Sequence, residues 1–147
     1  MKRVLFDTNV VLDVLLDRLP HADASSSLWA AIEAGSSEGM ISAHALTTVH
    51  YFLKKQIGNT KAQNTIATIL KVFSVAEVNG AVLQEALQLN FTDFEDAVTT
   101  AAARFAKCGF IVTRDPKGFR NSPVRCLNPE QLLQLLEVGK PSKYSPS

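Results

Sequence analysis

Cysteine is nearly missing from this sequence: Cys108 and Cys126 are the only two, and they are not spaced as a CxxC pair. Two are too few for a disulfide framework, and both read as small buried residues. Long hydrophobic runs are missing as well. No stretch of 18 or more apolar residues occurs, and Asp7 and Asp13 break the one hydrophobic segment near the N-terminus, so neither a membrane span nor a signal peptide is expected. The expected location is therefore the cytoplasm. Nor is there an excess of one charge, since 15 Lys and Arg stand against 14 Asp and Glu, a formal net charge of +1. Without a global basic field, any polyanion must be held locally. The histidines His21, His44 and His50 form no HExxH pattern, and no cysteine lies at zinc spacing, which leaves them surface or packing roles. A GxSxG elbow is absent too, and neither cysteine adjoins a histidine in sequence.

What remains is the composition of an ordinary globular chain. Its 147 residues, 46% hydrophobic and 20% charged, suffice for one domain with a sizeable core. Val4, Leu5 and Phe6 form a short apolar run suited to a parallel strand covered on both faces. Asp7 ends that run, and Asn9 is placed to cap a helix carrying Val10, Val11, Val14 and Leu15 at helical spacing. Strand-like and helix-like patterns then alternate. Helices are expected over His21–Ala34, Ala43–Ile57 (Leu46, Val49, Tyr51, Phe52 and Leu53 mostly inward), Thr60–Val72 and Asn79–Leu89, with strands at Met40–Ile41 and Phe73–Val78. Thr92-Asp93-Phe94-Glu95 matches a capping box and opens a helix to Lys107, with Phe94, Val98, Ala101, Ala102 and Phe105 on its buried side. Strands at Phe110–Thr113 and Val124–Leu127 flank the loop Arg114–Pro123, and Pro129 starts the last helix. Such alternation with short connections predicts a single doubly wound α/β domain over residues 1–138, a central parallel sheet of about five strands flanked by helices. Residues 139–147 read as a loose tail.

The chemistry lies in where the acids fall. Asp7 and Asp115 each follow a strand, so both reach the same sheet edge, and in open α/β sheets ligands bind beyond the carboxyl ends of the strands. Asp93 and Asp96, three apart, share the first turns of one helix. Together these four carboxylates repel unless a cation neutralises them or some stay protonated. Oxygen-only ligation selects Mg²⁺ or Mn²⁺. The plainer alternative is that Asp7 and Asp93 only cap their helices, where the macrodipole favours an acid. Arg114, Lys117 and Arg120 surround Asp115 in Arg-Asp-Pro-Lys-Gly-Phe-Arg and suit phosphate binding, or simply form an exposed cationic loop; Phe119 either stacks on a base or anchors the loop into the core.

Asp7-Thr8-Asn9-Val10 after a first strand, Asp93-Phe94-Glu95-Asp96-Ala97-Val98 opening a helix, and Thr113-Arg114-Asp115 with Phe119 after a late strand together resemble the PIN domain. The resemblance spans Val4 to about Leu136, and Ser42-Ala43-His44-Ala45-Leu46-Thr47-Thr48 resembles the subgroup allied to bacterial toxin nucleases. It implies a metal-dependent ribonuclease using Mg²⁺ or Mn²⁺ to cleave RNA, often the toxin paired with a small antitoxin protein, and usually a homodimer. Residue by residue it implies Asp7, Asp96 and Asp115 as the metal-binding acids, Asp93 as an accessory, and Asn9 and Thr113 as polar supports. One position departs: Thr48 stands where the family often has a glutamate. That departure admits a second reading, a PIN-like module that binds RNA or protein without cleaving it. A phosphohydrolase forming an aspartyl-phosphate on Asp7 fits less well, because such enzymes want an acid two residues on, where this chain has Asn9.

Overall fold

The computed structural model describes residues 2–138, so the expected tail at 139–147 lies outside the described residues. Five strands form one sheet: β1 (Arg3–Phe6), β2 (Glu38–Ser42), β3 (Ser74–Ala76), β4 (Phe110–Val112) and β5 (Arg125–Leu127). Their order is β3-β2-β1-β4-β5, and every pairing is parallel. The helices are α1 (Thr8–Leu15), α2 (Ala22–Glu33), α3 (Ala43–Ile57), α4 (Asn59–Val72), α5 (Gly80–Gln88), α6 (Phe94–Phe105) and α7 (Pro129–Val138), with one 3₁₀ turn at Pro116–Phe119. The chain winds outward from β1 through β2 to β3, then crosses back to lay β4 on the other flank of β1. That reversal leaves a crevice beside β1.

The two-residue period of a strand sorts the core into two layers. Val4 and Phe6 of β1 join Val10, Val11, Leu28, Val49, Leu53, Ile69 and Leu132 from α1–α4 and α7. Leu5 points the other way, joining Val82 and Ala86 of α5, Ala97, Ala101 and Ala102 of α6, and Ile111. Both faces of the central strand are thus dry, which is why it reads as a continuous apolar run. The alanine-rich face of α6 lets that helix lie close to the sheet. Phe73 seals the first layer, edge-on to Phe6 at 5.1 Å and to Trp29 at 4.8 Å. A side chain at Gly39 would meet the Phe73 ring at 2.6 Å, so β2 needs a glycine there.

Several local expectations are corrected. Asp7, not Asn9, caps α1: its carboxylate accepts from the Thr8 N–H, and Asn9 is exposed. The capping box from Thr92 is displaced by one residue, because the Asp93 carboxylate accepts from the Asp96 N–H at 3.0 Å and makes Asp93 the cap. Phe94 and Phe105, expected inward, are 50% and 52% exposed. Their neighbours Val98, Ala101 and Ala102 already fill the narrow buried stripe, leaving no room for rings. Tyr51 and Phe52 of α3 are likewise half-exposed and pack on each other, while Val49 and Leu53 face the core.

Candidate active site

Because β1 and β4 are adjacent and in register, Asp7 comes level with Thr113 one residue past the paired Phe6 and Val112. The Asp7 N–H donates to the Val112 carbonyl at 3.0 Å. The Thr113 hydroxyl donates to Asp7 Oδ2 at 2.9 Å, and the Thr8 N–H donates to Oδ1 at 2.9 Å. Thr113 Oγ1 also accepts from the Asp115 N–H at 3.3 Å. One hydroxyl therefore couples the two strand-end acids. Asp7 is 8% exposed, and burial is the main reason its carboxyl titrates above the ordinary range; the bonds from Thr113 and Thr8 oppose the rise, and Glu95 and Asp93 add to it.

Asp96 reaches the same place from the first turn of α6. Burial pushes its carboxyl up to about 7, and the charges of Asp7, Asp93, Glu95 and Asp115 push the same way. Gly118 lies between two of these acids: a side chain there would begin 3.5 Å from Asp96 Oδ2 and 4.0 Å from Asp115 Oδ2. The loop thus runs within van der Waals reach of both carboxylates. Among the described residues none of Asp7, Asp93, Glu95, Asp96 and Asp115 is ion-paired to a lysine or arginine. Nor do any three acids or histidines stand at the spacing of a formed metal cage. The acids converge but remain apart, a spread that mutual repulsion favours.

The supporting residues fall into three places. Arg114 is turned away from the acids to Asp13, a carboxylate only 1% exposed, with Nε 3.2 Å from Oδ2; Arg18 sits on the other oxygen at 2.9 Å. Expected as a phosphate ligand, Arg114 is thus tied down by a buried acid that the sequence pattern did not single out. Lys117 and Arg120 instead line a cleft that reaches Asp93 and Asp96. Phe119 is buried and edge-on to Phe91 at 6.1 Å, so it anchors the loop. The Asn9 side chain makes no hydrogen bond among the described residues, and Thr48 is half-buried on α3.

What α3 does place against α6 is His44, whose Nε2 lies 3.4 Å from Thr99 Oγ1. Burial lowers its pKa, with Glu95 opposing the shift. Thr48 lies one turn further along α3, on the same face as His44. His44 Nδ1, Ser42 Oγ and Thr8 Oγ1 are buried without a hydrogen-bond partner among the described residues, which marks this side of the crevice as polar. The signal for His44 in the sequence was its place two residues beyond the end of β2, but a lone histidine at a helix start is not distinctive.

A parallel doubly wound sheet with carboxylates gathered beyond its central strands, at the topological switch, defines an acidic-site α/β domain. The chain belongs to the PIN domain family: the family model described as "PIN domain" matches residues 3–117. Ribonuclease VapC1 of Aquifex aeolicus (strain VF5) is 25% identical over 138 residues, covering 90% of this chain and 94% of that protein. VapBC2 from Rickettsia felis, solved bound to a DNA fragment from its promoter, superposes with a TM-score of 0.68 at 15% identity, over 86% of this chain and 98% of that one. VapC20 of Mycobacterium tuberculosis, a sarcin–ricin loop cleaving toxin, superposes with a TM-score of 0.60 at 20% identity, over 74% and 86%. No helix among the described residues is long and apolar enough to cross a membrane.

Proposed function

We propose that the protein is an endoribonuclease that hydrolyses RNA phosphodiester bonds with Mg²⁺ or Mn²⁺, serving in the cytoplasm as the toxin of a toxin–antitoxin pair. The observation that carries this reading is the convergence of Asp7, Asp96 and Asp115, from three separate elements, with no cation paired to them among the described residues. All their donor atoms are oxygen, and burial, with the neighbouring negative charges adding to it, raises the Asp96 carboxyl to about 7. Such a donor set fits a hard divalent ion held by Asp7, Asp96 and Asp115, with Asp93 at its margin. When bound, the ion supplies Lewis acidity and a counter-charge for the phosphate.

The chain's own groups account for the rest. Thr113 and the Thr8 N–H fix the Asp7 carboxylate from both sides, so its orientation does not depend on the ligand. Lys117 and Arg120 present cations to neighbouring phosphates at the mouth of the site. The recessed crevice favours unstacked RNA, whose backbone reaches it more easily than a duplex does. Kinship with the ribonuclease VapC1 supports RNA as the substrate. The VapBC assemblies among proteins of this fold accord with a small antitoxin partner, and the family resemblance with a homodimer.

Thr48 in the glutamate's place favours one second reading, a binding module without cleavage. Incubating labelled single-stranded RNA with Mn²⁺, with and without EDTA, separates the two. Cleavage is expected to need the ion and to vanish in Asp7→Asn while the fold persists. Cleavage that survives in Asp7→Asn refutes the assignment.

A further inference from the structure

The cleft beside the acids has more structure than phosphate binding requires. It is about 450 Å³, within the range of pockets that hold small ligands, and lies between two loops. Asn90 and Asp93 line it from one loop, Lys117, Arg120 and Asn121 from the other, and Asp96 joins them from the first turn of α6. The cleft is braced from below: Phe91 lies edge-on to the buried Phe119, which ties the two loops together. The side-chain amides of Asn90 and Asn121 are exposed and make no hydrogen bond among the described residues. Lys117 and Arg120 likewise have no acidic partner there. One cleft thus carries acids, two cations without an acidic partner and two free amides.

That combination matches the parts of one nucleotide next to a phosphate held at the acids. Cations suit its own phosphate, and an amide, with donor and acceptor side by side, suits the edge of a base. We infer that this cleft holds the nucleotide adjoining the scissile phosphate and that Asn90 and Asn121 read its base, a substrate subsite that rests on the ribonuclease reading above. An unstacked RNA base exposes its edges to such readers, whereas a duplex hides them. The amides are specificity residues and not catalytic ones, because neither is hydrogen-bonded to Asp7, Asp96 or Asp115 among the described residues.

Asn90 has a φ of 57°, the left-handed region, so its replacement must be glycine if the backbone is to stay where it is. The test therefore uses the double variant Asn90→Gly/Asn121→Ala, whose changes are confined to exposed loop positions. Binding of fluorescent hexanucleotides of A, C or U is measured in Asp7→Asn protein, with and without the double change, so that turnover does not interfere. Affinity is expected to differ among the three by fivefold or more with both asparagines present, and by less than twofold without them. Equal affinities in the parent, or discrimination that survives the double change, overturn the inference. In the otherwise native protein the double change should raise KM for RNA several-fold and leave kcat within twofold; a loss confined to kcat also overturns it. If RNA is bound with discrimination but never cleaved, the hydrolytic reading fails and the subsite stands.

Discussion

The charge cluster that suits a cation should cost stability when no cation is present, and Asp96→Asn measures that cost. An acid whose folded pKa is raised binds protons more tightly in the folded than in the unfolded state, so stability falls as pH rises between the two values. For Asp96 the window runs from the ordinary 3.8 to about 7. At about 1.4 kcal/mol per pH unit, a window of about three units caps the penalty near 4 kcal/mol above pH 7. Asp96 is only half-buried, and water screens much of this. The substitution also removes an acid from the first turn of α6, where the macrodipole favours one by about 0.3–1 kcal/mol. Repulsion still wins, leaving an expected gain of about 1–2 kcal/mol, or about 3–8 °C in Tm for a chain of this size. Melting in EDTA can be followed through the only tryptophan, Trp29, which packs on Phe73. The gain should be full at pH 8 and mostly gone at pH 4.5, where native Asp96 is already protonated. Added Mn²⁺ should reverse the order by stabilising only the parent. An Asp96→Asn protein that melts below the parent at pH 8 in EDTA refutes the argument that the acids repel without compensation.

Much of the architecture was legible because it rests on local rules. The apolar runs at Val4–Phe6 and Phe110–Val112 suit buried strands, and the capping Asn79 with Val82 and Ala86 behind it specifies α5 without reference to the rest of the chain. The strand-end acids follow from topology, since parallel strands deliver their carboxyl ends to one edge. What could not be read depended on partners distant in sequence. Nothing near Asp13 marks it as the buried anchor of Arg18 and Arg114, about a hundred residues away from the latter; in a helix of Val and Leu it looks like an exposed polar position. Phe94 and Phe105 misled for the opposite reason. Their spacing fits the α6 stripe, but alanines at 97, 101 and 102 bring the helix so close to the sheet that larger side chains are excluded from it. His44 was invisible as a site residue because its role is set by α6, an element fifty residues further on.

Two further perturbations probe the groups around the acids. Asp13→Asn leaves Arg18 and Arg114 facing a neutral amide in a buried setting, and should lower unfolding stability by about 1–3 kcal/mol in urea titration, less than a fully buried pair because both arginines are partly exposed. A loss below about 0.5 kcal/mol would show that the cluster behaves as an ordinary surface bridge. Thr48→Glu tests the position at which the family resemblance implies a glutamate. His44 already fills the α3 face that meets Thr99 and Glu95, and Thr48 lies one turn behind it, so a glutamate at 48 reaches toward the acids past the imidazole. Each added carboxylate strengthens the attraction for a divalent ion. Calorimetric titration should therefore find Mn²⁺ bound several-fold more tightly by Thr48→Glu, while the same variant melts lower than the parent in EDTA because a further charge joins an unneutralised cluster. Both changes must occur together for the reasoning to hold. Tighter Mn²⁺ binding without the loss in EDTA would mean that the glutamate rests on His44 or in solvent until the ion arrives. Unchanged affinity in a folded variant would mean that α3 presents His44, and not position 48, to the site.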